Sequence, residues 1–96
     1  MVSFKNDLLL GKTALITGGG GLLGPQHAIA LASVGAKIVL LDIDEDLLDK
    51  AKNKILHSIE SADISCFVAD IGTLSDVEKV DEKITADGCH VDILIN

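Results

Sequence analysis

Ninety-six residues make one small domain, able to bury roughly two thirds of the surface its unfolded chain exposes. Apolar residues are 48% of the sequence with only two aromatics, both Phe, so the core must be built from Leu, Ile, Val and Ala, which suits helices packed on a sheet. A formal charge of −7 with scattered acidic residues leaves no basic stripe for a phosphate backbone and excludes nucleic acid as a partner.

The chain opens on residues 1–11, MVSFKNDLLLG, whose apolar stretch is too short for a signal peptide. No later apolar run approaches the roughly 20 residues of a membrane span, so a cytoplasmic protein with no membrane partner is expected. Residues 12–17, KTALIT, are short, apolar and β-branched, which reads as a buried strand. TGGGGLLG follows at 17–24, with five glycines in eight residues. Residues 23–34 read as a helix rich in Ala, Leu and Ile, with Gly35 as its stop. KIVLLD, 37–42, is a second strand ending on Asp42. From 44 to about 61, Leu48, Ala51, Ile55 and Ile59 recur at helical steps and define one apolar face. ISCFVAD, 64–70, is a third strand ending on Asp70. From 75 to about 86 a helix is marked by Val77, Val80 and Ile84, with Ser75 and Glu78 spaced as a capping box and Gly88 beyond its end. VDILIN, 91–96, is a fourth strand.

With no repeat or linker, residues 1–96 read as a single domain of the α/β class, β-α-β-α-β-α-β. Right-handed crossovers then give an open parallel sheet, covered on both faces, with strand order 3-2-1-4. The glycines leave the first strand and open the first helix. There they permit a tight turn and let a pyrophosphate approach the backbone and the positive helix end. Pro25 falls in the first turn, where its missing N–H costs nothing. Asp42, 18 residues after Gly24, ends the second strand where a carboxylate can accept hydrogen bonds from an adenosine ribose, and Asp70 ends the third on the same edge.

These segments together, GKTALITGGG, LLDID, VADI and VDILIN, resemble the short-chain dehydrogenase/reductase family over essentially the whole chain. The resemblance implies a Rossmann-like sheet and a nicotinamide cofactor exchanging a hydride with an alcohol or carbonyl substrate, a small molecule. It assigns Asp42 to the adenine ribose, Asp70 and Ile71 to the adenine, and Asn96 to the cofactor's side. The cofactor-binding set is Gly18, Gly20, Gly21, Leu22, Leu23, Gly24, Asp42, Ile43, Asp70, Ile71 and Asn96. NAD is expected over NADP, because Asp42 is followed by Ile43, Asp44, Glu45 and Asp46 rather than by a cation. Two features depart from the family pattern. Leu22 stands where shorter members carry glycine, so that Gly18, Gly21 and Gly24 are spaced as in extended members acting on nucleotide sugars. The family's catalytic Ser and Tyr-x-x-x-Lys pair come well downstream, and the sequence contains no Tyr, so no catalytic residue is assigned and these 96 residues are expected to be inactive alone.

The alternatives are a non-catalytic dinucleotide-binding module and an S-adenosylmethionine-dependent methyltransferase, against which DI and DILIN argue. His27, in the first turn after the glycines, reads as a packing or surface residue, and His57 and His90 as solvent-facing. Cys66 reads as a small core residue and Cys89 as a loop thiol, with no metal-ligand spacing around either. A homo-oligomer is expected. Self-association could run through the fourth strand, which these residues leave as an apolar edge.

Overall fold

The computed structural model describes residues 7–96. The part of the signal-peptide reading that falls on residues 1–6 lies outside the described residues. Strands β1 (Thr13–Thr17), β2 (Lys37–Asp42), β3 (Ile64–Val68) and β4 (Ile93–Ile95) alternate with helices α1 (Gly24–Ala32), α2 (Glu45–Ser58) and α3 (Leu74–Ala86). Every strand pairing is parallel and the order is β3-β2-β1-β4, as the alternation implied. Among the described residues no helix is long and apolar enough to cross a membrane.

The run IVLL explains why β2 lies inside. Ile38, Val39, Leu40 and Leu41 are all at most 3% exposed. Successive side chains of a strand point to opposite faces, so a strand covered on both faces needs such an uninterrupted run. Ile38 and Leu40 join Ala14 and Ile16 under α1 and α2, where Ala28, Leu48, Ala51 and Ile55 meet them. Val39 and Leu41 face the other way, under Val80 and Ile84 of α3. Coverage is less complete at the margins than the sequence suggested. β3 and β4 are edge strands, partly exposed along their length.

Helix ends follow local chemistry. The turns after α1 and α3 put Gly35 at φ 97° and Gly88 at φ 77°, a region that disfavours other residues. Each turn closes by paired bonds to the last carbonyls of its helix, Gly35 N–H to Ala32 and Ala36 N–H to Leu31, then Gly88 N–H to Thr85 and Cys89 N–H to Ile84. Asp44 caps α2 by accepting from the Leu47 N–H at 3.2 Å, and Glu45 and Asp46 follow at its positive end.

At α3 the expected capping box is absent. The helix starts at Leu74 behind Thr73, so Ser75 and Glu78 fall inside it. The first-turn residue that reaches back is Asp76, whose Oδ2 accepts the Asp70 N–H at 2.9 Å. The Asp70 turn sets this register: its Oδ1 accepts from Gly72 N–H at 2.8 Å and its carbonyl from Thr73 N–H at 2.9 Å.

β4 is latched to β1 by Asp92. The Thr13 N–H donates to its carboxylate at 2.9 Å, and the Asp92 N–H donates to the Thr13 carbonyl at the same distance. Asp92→Ala is expected to lower stability by about 1 kcal/mol, read as a shift in the urea midpoint at constant slope.

Cys66, partly buried, packs against the α1/α2 side of the core, and both cysteines are free. Burial pushes the Cys66 thiol above its ordinary 9.0, with Lys52 opposing and Asp49 adding to the rise. The folded protein holds this proton more tightly than the unfolded chain. That contribution to stability is therefore present below about pH 9 and fades as the pH rises through the folded-state pKa. At pH 8, Cys66 is expected to alkylate more slowly in the native protein than in the denatured chain, as followed by peptide mass analysis.

Candidate functional site

The carboxyl edge of the sheet gathers Gly18 from the end of β1, Asp42 and Ile43 from the end of β2, and Asp70 and Ile71 from the end of β3. They line one cavity of about 210 Å³ with Leu41 and Ala69. The topology accounts for this. β1, β2 and β3 run parallel, so each releases its chain on the same side, where crossover folds place their ligand crevice.

Most of the other residues singled out in the sequence line separate recesses or face solvent. Asn96, just past β4, accepts a hydrogen bond through Oδ1 from the Thr17 hydroxyl at 2.6 Å. It lines a neighbouring apolar cavity of about 400 Å³ that also includes Ile71. Gly20, Gly21 and Leu22 line a further recess against α2, beside Pro25, Leu47, Lys50 and Lys54. Leu22 and Leu23 project into solvent, 86% and 58% exposed.

Within the glycine turn most amides already have partners. Gly18 adopts φ 65°, Gly19 N–H donates to the Leu41 carbonyl at 2.9 Å, and Gly21 N–H donates to the Gly18 carbonyl at 2.9 Å. Gly20 N–H donates to Asp42 Oδ2 at 3.1 Å. The turn folds against its own exit, since a Cβ on Gly24 would stand 2.5 Å from the Gly19 carbonyl oxygen. A Cβ on Gly20 would stand 2.7 Å from the Leu47 Cβ, so the turn also rests on α2.

α1 is open at its start. Its N-cap is Leu23, no side chain closes the cap, and Pro25 removes one donor. An uncapped helix end beside a tight glycine turn offers backbone amides and partial positive charge to an anion.

Asp42 does more than end a strand. Its Oδ1 accepts the Asp44 N–H at 3.0 Å while Oδ2 holds Gly20, so the carboxylate is fixed from both sides. A carboxylate has about four lone-pair sites, which leaves each oxygen able to accept once more from the cavity. Asp70 is fixed likewise, through Gly72 on Oδ1 and through Asp76 on its own N–H.

The sequence did not single out Gly19, Thr17 or Asp76. Thr17 precedes the glycines at the end of β1, and a hydroxyl at a strand end is the signal that could have raised it. His27 is exposed on the first turn of α1, and among the described residues its side chain makes no hydrogen bond or ion pair. His57 and His90 are also exposed, His90 lying 3.9 Å from Asp92.

A larger recess of about 630 Å³ opens at the opposite, amino edge and holds none of these residues. Of its charges, Lys37 and Asp63 are 4.0 Å apart and answer one another, and Lys12 lines it as well.

The family described as short chain dehydrogenase matches residues 12–96. A short chain dehydrogenase/reductase of Gibberella zeae is 39% identical over 88 residues, 92% of this chain and 32% of that protein. Levodione reductase of Leifsonia aquatica is 37% identical over 75 residues, 78% of this chain and 27% of that protein. The crystal structure of NAD+-bound xylitol dehydrogenase superposes with a TM-score of 0.79 at 31% identity, covering 91% of this chain and 33% of the other. The chain thus spans about a third of the length of these relatives.

Proposed function

Because the chain belongs to the short-chain dehydrogenase family, we propose that its carboxyl edge holds the adenosine half of NAD, for an oxidoreductase acting on an alcohol or carbonyl. The observation that carries this reading is the single cavity joining Gly18, Asp42, Ile43, Asp70 and Ile71 beside the uncapped start of α1. This donor set fits the group: carboxylate acceptors suit ribose hydroxyls, a free helix end suits a pyrophosphate, and the apolar flank of Ile43 and Ile71 suits a base.

When bound, the nicotinamide supplies the hydride acceptor or donor. The residues present bind and orient. Asp42 accepts from the adenine ribose, and residues 22–24 present the amides nearest the phosphates. Asp70 and Ile71 would receive the adenine edge, and Asn96, which accepts from the Thr17 hydroxyl, would stand beside the cofactor. A titration with ADP-ribose followed by amide NMR tests this: shifts confined to residues 18–24, Asp42, Asp70 and Ile71 are expected. Shifts at the amino-edge recess instead, or none at all, would overturn it.

No acid/base residue is assigned, since the 96 residues contain no tyrosine. Taken alone they are expected to give no reduced cofactor from NAD with a panel of secondary alcohols, and measurable turnover would refute this. A cytoplasmic setting is in keeping with the two free thiols. The outer edge of β4 pairs with no strand among the described residues, and Leu94 on it is 58% exposed. We therefore expect concentration-dependent self-association of these 96 residues, and a monomeric sedimentation profile at high concentration would count against it.

A further inference from the structure

We infer that Asp76 is a positioning residue for recognition of the adenine base, an inference that rests on the nucleotide reading above. The amino edge of adenine presents a donor beside an acceptor, and its complement is an acceptor beside a donor. Asp70 and Ile71 supply that pair: Asp70 Oδ1 is taken by Gly72, Oδ2 has no partner among the described residues, and the adjacent Ile71 N–H makes no hydrogen bond among them. Both groups lie on the exposed turn between β3 and α3, so their direction depends on what fixes the backbone there.

Three bonds do so. Ala69 N–H donates to the Asp42 carbonyl at 3.0 Å, tying the end of β3 to β2. Thr73 N–H donates to the Asp70 carbonyl at 2.9 Å, which orients the peptide carrying the Ile71 N–H. Asp76 Oδ2 accepts the Asp70 N–H at 2.9 Å, which orients the peptide before it. The Gly72 N–H bond to Asp70 Oδ1 stays within the turn, and only the Asp76 bond ties the turn by a side chain to the first turn of α3. The buried residues of α3, Val80 and Ile84, lie at least one helical turn further on. Without Asp76, Asp70 becomes a swivel between sheet and helix, and the donor and acceptor lose their fixed spacing.

The experiment compares Asp76→Ala and Asp76→Asn in the full chain, using NAD and nicotinamide hypoxanthine dinucleotide. The two dinucleotides share both riboses, the pyrophosphate and the nicotinamide, and differ in replacement of the adenine amino group by a carbonyl. The unaltered protein should prefer NAD. Asp76→Ala should weaken NAD about three- to tenfold, the range of one net hydrogen bond, and barely change the hypoxanthine analogue, so the preference collapses. Asp76→Asn retains a carbonyl oxygen at the same place and should restore most of it. In the absence of nucleotide, the Asp70 amide should exchange faster in Asp76→Ala while the amides of Val80 and Ile84 do not. Equal weakening of both dinucleotides, or an unchanged preference, overturns the role of Asp76. Failure of the unaltered protein to bind either dinucleotide overturns the nucleotide reading itself, and this inference with it.

Discussion

Titrated side by side, NAD is expected to bind more than roughly tenfold tighter than NADP. NADP carries a phosphate on the ribose 2′ oxygen, where NAD carries a hydroxyl that can donate to the Asp42 carboxylate. Two like unit charges about 4 Å apart repel by about 4 kcal/mol at an effective dielectric near 20, an upper bound that salt reduces. The hydroxyl instead gains roughly 1.5 to 3 kcal/mol from a charged acceptor. Each 1.4 kcal/mol is about tenfold, so even a heavily screened difference suffices. Asp42 cannot swing aside to lessen the repulsion, because Gly20 and Asp44 hold its two oxygens. Asp44, Glu45 and Asp46 follow with charge of the same sign. Asp42→Ala should reduce the ratio mainly by weakening NAD, since removing the carboxylate also frees the Gly20 amide. Equal affinities for the two cofactors, or a ratio unchanged in Asp42→Ala, would defeat this.

The second large effect is expected from Gly24→Ala. The added methyl group would stand 2.5, 2.8 and 2.9 Å from the oxygen, carbonyl carbon and Cα of Gly19. All three atoms are backbone, and Gly19 is itself tied to the Leu41 carbonyl at 2.9 Å, so no flexible side chain can yield. Either α1 or the glycine turn must move. Overpacking of this kind costs about 2 to 3 kcal/mol, and the displaced turn should lose nucleotide binding as well. Gly18→Ala has open space around its Cβ and is strained only through φ 65°, so it should cost less, about 1 kcal/mol. Urea midpoints together with ADP-ribose titration check both variants. A Gly24→Ala protein as stable and as tightly binding as the original would show that the close approach is unimportant.

The strand order and the gathering of Gly18, Asp42 and Asp70 on one edge were legible because each rests on a local, periodic signal. An unbroken apolar run marks β2, helical spacing marks α2, and parallel strands deliver their ends to one side. Contacts between distant residues have no such signature. Nothing in a run of four glycines says that Gly19 is the one on which Gly24 leans, or that Gly20 rests on Leu47. At α3 the start signal read from the sequence, Ser75 with Glu78, falls inside the helix, which begins behind Thr73. The helix starts there because the Asp70 turn closes on the Thr73 N–H, a choice made outside the helix. Leu22 and Leu23 belong to the glycine motif by position, yet neither lines the cavity shared by Asp42 and Asp70, since the turn carries them outward onto its shoulder.

The two faces of the sheet are unequally covered, two helices on one and α3 alone on the other. Local opening should begin where the fewest buried groups resist it, so α3 and β4 should exchange their amide hydrogens at a lower free energy of opening than β2. The proposed site straddles this boundary. Its ribose-facing carboxylate belongs to the strand that opens last, and its base-facing turn leads into the helix that opens first. Capture of the base therefore carries an ordering entropy that capture of the ribose does not. A bound nucleotide should slow exchange far more in α3 than in β2, with the heat of binding more favourable, and the entropy less so, for an intact adenosine than for a ribose phosphate lacking the base.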